Sequence, residues 1–224
     1  IHSDEIFERR VKRWSKIGQW EKMRDREIQS IQNHISRLPS SDKNGYLKRH
    51  PGCYDAAENH IYDPVNLEKL RNANFVCDVC GHRYVRPSAW DYLDWILDSG
   101  SFIEHKETRI IIDKDILCFP DYSKKLNNAR ERTGLISAMI TGDGTVLGHP
   151  AVVCATDFGF FGGSFCMSTG EKVWRAVTIA IERNVPIILQ VSGGGARMNE
   201  GCSSMVSIPK VHVAISRVER AGLP

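Results

Sequence analysis

An α/β domain is what this sequence predicts, entered through a cysteine-centred module and a basic helical arm. Three observations carry that expectation. From about residue 100 onward, apolar runs alternate as strand, helix, strand and helix, the order that builds a sheet with helices packed on it. Residues 77–80 hold a Cys-x-x-Cys pair, and residues 50–53 hold His-x-x-Cys at the same spacing. Residues 1–50 carry twelve Lys/Arg against seven Asp/Glu, whereas the whole 224-residue chain has a net charge of only +3. A composition of 42% hydrophobic and 25% charged residues argues for a packed core over disorder. The longest apolar stretches, around Phe158–Phe161 and Val185–Leu189, fall far short of the roughly 18 residues a membrane span needs. Ile1-His2-Ser3-Asp4-Glu5 lacks the basic patch and apolar core of a signal peptide.

Three segments are expected: an arm over 1–45, a cysteine module over 46–86 and the α/β part over 87–224. Residues 4–38 read as helix, because Ile6, Phe7, Trp14, Ile17, Ile28, Ile31 and Ile35 recur at mostly helical intervals among charges. Pro39 to Gly45 is a loop by composition. Pro87 to Leu97 reads as a short helix with Trp90, Leu93 and Leu97 on one side. Arg109-Ile110-Ile111-Ile112 is strand-like. Tyr122 to Arg132 is a polar helix stopped by Gly134. Leu135–Thr141 and Val146–Thr156 read as strands joined at Gly142-Asp143-Gly144, a hairpin signal.

Ser168-Thr169-Gly170-Glu171 has the form of a capping box. It would open a helix running to about Arg183, with Val173, Val177, Ala180 and Ile181 inward and Asn184 at its end. Val185–Val191 is short, β-rich and bounded by Pro186 and glycines, which suits a buried parallel strand. A further helix, containing Pro209, is expected after the loop that follows.

Seven cysteines without a secretion signal argue against a disulfide framework. Cys118, Cys154, Cys166 and Cys202 stand singly and read as small buried hydrophobes. Cys53, Cys77 and Cys80 look organised. In Cys77-Asp78-Val79-Cys80-Gly81 two thiolates can hold one ion, and the glycine permits the left-handed turn after them. Tetrahedral zinc needs four ligands, so His50 and Cys53 are expected to complete a Cys₃His site. His60 and His82 are rivals for the histidine position. Four protein ligands leave no open coordination position, which makes the zinc structural.

Two glycine-rich loops carry the remaining signal. One is Asp157-Phe158-Gly159-Phe160-Phe161-Gly162-Gly163-Ser164. The other is Ser192-Gly193-Gly194-Gly195-Ala196-Arg197-Met198, directly after a strand. Glycines there let backbone amides approach a ligand and stabilise an oxyanion, although the same residues also serve tight turns. Neither loop is a P-loop or a dinucleotide fingerprint, and no nucleophile–base pair stands out.

In combination these blocks are far more specific. Cys77-Asp78-Val79-Cys80-Gly81-His82, Asp98-Ser99-Gly100-Ser101-Phe102, Arg132-Thr133-Gly134-Leu135, Asp157 to Ser164, Gly170 to Ala176 and Gly194 to Gly201 stand in one order. In that order the sequence, from about residue 50 on, resembles the β subunit of the bacterial and plastid acetyl-CoA carboxylase carboxyltransferase. The resemblance implies a zinc ribbon over 46–86 and, over 87–224, the N-terminal part of a crotonase-like (ClpP-like) α/β domain. It implies transfer of CO₂ from carboxybiotin to acetyl-CoA, giving malonyl-CoA for fatty acid synthesis, with biotin itself as the base. Gly194 and Gly195 match the positions whose amides face the thioester oxygen. Gly162, Gly163, Ser164, Gly193, Ala196 and Arg197 are the implied substrate-binding residues.

The implied partners are a carboxyltransferase α subunit, a biotin carboxyl carrier protein that bears the biotin, and a biotin carboxylase. The implied location is the cytoplasm, or the plastid stroma of a plant or alga. A crotonase-like domain usually takes roughly 200 residues. A second chain completing the β-type domain is therefore expected, unless the sequence is part of a longer one.

The sequence departs from the family at His50, which replaces a cysteine, and in a longer stretch before Cys77. It also departs at Phe165 and Cys166, at Gly193 in place of serine, and at Pro209. These differences keep open another acyl-CoA as substrate, or a decarboxylase. A basic arm and zinc ribbon could also serve subunit assembly or nucleic-acid binding.

Overall fold

The computed structural model of the protein describes residues 46–50 and 52–224. The helix expected over 4–38, the loop after it and the basic arm as a whole lie outside the described residues. The chain divides into two compact units, one ending at Arg86 and the other spanning Pro87–Pro224.

In the first unit, β1 (Tyr46–Leu47) pairs antiparallel with β2 (Val65–Asn66). Helix α1 (Leu67–Asn72) follows at once, because the Asn66 side chain accepts from the amides of Glu68 and Lys69 at 2.8 and 3.3 Å. Among the described residues its buried apolar cluster is Leu47, Val65 and Leu70, with Leu67, Phe75 and Tyr84 packed around them. Each such aliphatic side chain stabilises by about 2 kcal/mol. That is small beside the conformational entropy of the described segment, which a further cross-link would stabilise.

The second unit is built on a four-stranded sheet in the order β3-β4-β5-β6. Helix α2 (Ala89–Ile96) opens on a capping box in which the Asp91 amide donates to Ser88 Oγ and the Ser88 amide donates to the Asp91 carboxylate. Then come β3 (Ile103–Glu104), the short α3 (Lys106–Arg109) and α4 (Tyr122–Thr133), which stops on Gly134 at φ 68°. Strands β4 (Met139–Val146) and β5 (His149–Thr156) form an antiparallel hairpin. Helix α5 (Met167–Arg183) crosses over and ends on left-handed Asn184. Strand β6 (Ile187–Gln190) then pairs with β5 in parallel, and α6 (Cys202–Arg220) closes the unit.

Both sheet faces are covered, and the period-2 alternation shows how. Ile140, Val153 and Ala155 face a core with Leu93, Leu97, Tyr122 and Leu126. Met139, Val152 and Cys154 face the opposite core, with Val173, Val177, Ala180, Ala214 and Val218. Among the described residues no helix is long and apolar enough to cross a membrane.

Several sequence expectations are corrected here. Gly142-Asp143-Gly144 lies inside β4, and the hairpin turns at Leu147-Gly148, both at positive φ as a type I′ turn requires. The strand glycines mark close approach instead: a Cβ on Gly142 would sit 2.4 Å from the Ile103 carbonyl oxygen, and one on Gly144 2.6 Å from Leu97 Cδ1. Gly142→Ala should therefore cost about 1–3 kcal/mol. That would lower the thermal midpoint by about 2–10 °C in a calorimetric scan.

Ile110–Ile112 is not a strand: Ile103 and Glu104 already occupy that edge of β4, and Ile110 is exposed after the α3 turn. The capping box at Ser168 does not form. Helix α5 starts two residues earlier, with Cys166 as its cap; its Met167 amide donates to Glu200, and the Ser168 hydroxyl donates to Asp113. Cys118 and Cys202 are exposed, whereas Cys154 and Cys166 are buried as expected. Strand β6 is half-buried rather than buried, since among the described residues β5 is its only strand neighbour.

Candidate functional site

In the first unit the structure brings His50, Cys53, Cys77 and Cys80 together. One ligand atom from each lies within 4.8 Å of all the others. The spacing follows from local backbone. The Gly81 amide closes on the Cys77 carbonyl at 3.1 Å with Gly81 at φ 71°, which turns both thiols of the knuckle to one side. Cys53 Sγ lies 3.7 Å from Cys77 Sγ, and His50 Nε2 lies 2.9 Å from Cys80 Sγ. A tetrahedral zinc with bonds of about 2.3 Å separates its sulfurs by about 3.8 Å, so the donor set fits that ion.

The surroundings orient the donors. His50 faces the cluster through Nε2, 2.9 Å from Cys80 Sγ, and its Nδ1 lies 3.2 Å from the Gly52 amide nitrogen. Arg49 donates to Cys77 Sγ at 3.2 Å and pairs with Asp78 at 2.9 Å. Burial pushes the Cys77 thiol up, but the amides of Cys80 and Val79 outweigh it and bring the group to about 7. Of the rival histidines, His82 stacks on His50 at 4.0 Å, while His60 packs against Tyr54 and Tyr62.

In the second unit both glycine loops leave the same edge of the sheet, because β5 and β6 are parallel neighbours. That edge, at the carboxyl ends of the strands, is where α/β sheets commonly bind ligands. The loops are zipped together. The Gly194 amide donates to the Gly162 carbonyl at 2.9 Å, Phe165 to Gly195 at 2.8 Å and Arg197 to Phe165 at 2.7 Å. The Ser192 amide donates to Thr156 Oγ1 at 2.5 Å. Only glycine fits at 163: a Cβ there would lie 1.8 Å from the Ser192 carbonyl oxygen, at φ 62°. Asp157 ties its loop to α2 by accepting from the amides of Gly159 and Ala89 at 2.6 and 2.9 Å.

Gly193, Gly194 and Gly195 are exposed along this edge. The Gly194 amide is spent on Gly162, so of the two glycines expected to face an oxyanion, Gly195 is the one whose amide has no hydrogen-bond partner among the described residues.

Arg197 and Ser164, expected to touch substrate, are turned inward instead. Arg197 is 2% exposed. Its guanidinium donates to Ser164 Oγ at 3.0 Å, to the Ser164 carbonyl at 3.1 Å and to the Asp113 carboxylate. The Phe161 ring lies 5.0 Å from its Cζ. Tyr122 donates to Glu200 at 2.8 Å beside it. Burial alone would lower the Arg197 pKa, but Asp113 reverses the direction and keeps the guanidinium charged. Burial pushes the neighbouring Cys166 thiol up to about 11, which makes it inert. Asp113, Tyr122 and Glu200 were not among the expected site residues. The one sequence cue for Asp113 is an acid placed directly after three isoleucines.

Comparison with known proteins agrees with this geometry. The carboxyl transferase domain profile matches residues 88–224. Over 148 residues the chain is 39% identical to the acetyl-coenzyme A carboxylase carboxyl transferase subunit beta of Paenibacillus sp., covering 66% of this chain and 50% of that protein. It is 36% identical over 158 residues to the beta subunit of Mesorhizobium japonicum, covering 69% and 50%. It is 38% identical over 162 residues to the beta/alpha subunits protein of Saccharopolyspora erythraea, covering 71% and 28%. The chain thus spans about half the length of the beta subunits it matches, or less for the fused protein. Among solved structures, transcarboxylase 12S aligns with a TM-score of 0.49 at 24% identity, covering 68% of this chain and 26% of that one. The α/β carboxyltransferase expectation for the C-terminal part agrees with the family match and the mixed sheet.

Proposed function

The chain belongs to the carboxyl transferase domain family, and from that premise we propose that it is a β-type subunit of an acetyl-CoA carboxylase, moving a carboxyl group from carboxybiotin to acetyl-CoA. The observation that carries this reading is the exposed run Gly193–Gly195, zipped to the Gly162–Phe165 loop at the carboxyl edge of the sheet with the Gly195 amide unpartnered among the described residues.

The chemistry needs what that edge offers. Removing a proton from the methyl group of a thioester places negative charge on the thioester oxygen. A fixed amide donor lowers that barrier more than it strengthens ground-state binding. Side chains at these positions would keep the thioester away from the backbone, and the glycines remove that obstacle. Carboxybiotin, borne by a carrier protein, supplies CO₂ as its N–C bond breaks, and the nitrogen so freed takes the methyl proton. The new C–C bond joins the substrate's methyl carbon to CO₂, giving malonyl-CoA. No protein base is required, which agrees with Asp157, the one carboxylate on the glycine loops, being buried and committed to the Gly159 and Ala89 amides.

His50, Cys53, Cys77 and Cys80 would hold a structural zinc ion, the cross-link that the small core of the first unit lacks. The partners in this reading are a carboxyltransferase α subunit, a biotin carboxyl carrier protein and a biotin carboxylase. The cytoplasm or a plastid stroma is the setting.

The test is reconstitution of the full chain with an α-type subunit, a carboxylated biotin carrier and acetyl-, propionyl- or malonyl-CoA in turn. Malonyl-CoA formed in step with carboxybiotin consumed is the expected result. Preferential turnover of propionyl-CoA, or decarboxylation of malonyl-CoA, would replace the substrate assignment.

A further inference from the structure

Three consecutive glycines cannot hold their own conformation. Each has the widest backbone freedom of any residue and no side chain to pack. An oxyanion donor nevertheless works only if its direction is set before the charge develops. What sets it must lie outside the run. Upstream, Ser192 is tied to Thr156, and alongside, Gly194 and Gly195 are bonded to Gly162 and Phe165. Downstream, the Arg197 amide is bonded to Phe165 and Glu200 accepts from Tyr122 and the Met167 amide, but the side chain that reaches back to both neighbouring segments is Arg197, whose fork grips Ser164 on the first glycine loop and Asp113 on the segment before α4.

An ion pair this deeply buried is a costly way to stabilise a fold, since apolar side chains of similar volume do as well or better. What a guanidinium adds is planar, multiply bonded geometry that joins both loops in one orientation. Resting on the proposed function, we infer that Arg197, held by Asp113, is a positioning residue that aims the Gly194–Gly195 backbone at the thioester oxygen. Ser164 is the acceptor through which it couples the two loops. Neither side chain touches substrate.

Arg197→Lys keeps a cation beside Asp113 but cannot reach both oxygens of Ser164. In the reconstituted complex its kcat should fall about 10–100-fold while KM for acetyl-CoA stays within about 3-fold. Amide exchange at Gly194, whose amide is bonded to the Gly162 carbonyl, should accelerate by about tenfold. Ser164→Ala, which removes one acceptor only, should show the same pattern with a kcat loss of about 3–10-fold. It decides the matter alone if Arg197→Lys does not assemble. A folded variant with wild-type kcat and unchanged exchange overturns the inference. So does a loss confined to KM, which would make Arg197 a substrate contact. If the wild-type complex turns over no acyl-CoA, the proposed function fails, and the exchange rates still decide whether Arg197 orders the glycines.

Discussion

Replacing Gly163 by alanine is expected to damage the second unit more than any other single methyl addition on the glycine loops. The new Cβ would sit 1.8 Å from the backbone oxygen of Ser192, which cannot swing aside as a side-chain end could. A left-handed conformation costs a non-glycine residue about 1–2 kcal/mol, and overpacking adds about 1–3. The sum, about 2–5 kcal/mol, is a large share of the stability of an ordinary domain. The loops would have to part, breaking the Gly194–Gly162 bond and moving the Gly195 amide. Thermal unfolding should show a midpoint lower by about 5–15 °C, with carboxyl transfer lost even below it. A midpoint equal to wild type would mean that the loops are not packed this closely.

The second large effect concerns the ribbon. Cys80→Ser should drop the metal content from close to one zinc per chain to near zero, because a neutral hydroxyl is a poor replacement for a thiolate. Metal binding of this kind is worth about 10–16 kcal/mol in small zinc modules, and among the described residues the apolar cluster beside it is small. Leu47, Val65 and Leu70 should therefore lose their packing, and the segment before Pro87 should become sensitive to protease. Emission spectroscopy for zinc and limited proteolysis read the two consequences separately. A metal-replete wild-type chain without zinc would end the assignment of these four ligands.

Much of this was legible in the sequence where one local rule decided the outcome. The helix stops at Gly134 and Asn184 and the parallel strand near Val185–Val191 follow from punctuation and apolar period. So does the approach of His50-x-x-Cys53 to Cys77-x-x-Cys80, once tetrahedral coordination is required. Failures came where distant residues overruled the local signal. Gly142 and Gly144 resembled a turn, but they are glycine because Ile103, Phe102 and Leu97 pack on them from other elements. Ser168 had the spacing of a cap, but its hydroxyl was claimed by Asp113, 55 positions away in sequence. For Arg197 the position beside the glycine run was visible in the sequence, and the buried Asp113 carboxylate that draws its side chain inward was not.

Gly194 gives the most direct test of the central claim, that acyl-CoA chemistry takes place against this bare backbone. A Cβ at Gly194 would lie 3.6 Å from the Gly162 oxygen, an ordinary contact, and the residue is exposed, so the methyl groups of Gly194→Val have solvent to extend into. Label transfer from carboxybiotin to acetyl-CoA should be measured in the reconstituted complex for wild type and for this variant. The account predicts labelled malonyl-CoA from wild type and a rate at least about 100-fold lower from the variant, with zinc content and thermal midpoint retained. Transfer by Gly194→Val at the wild-type rate would contradict it.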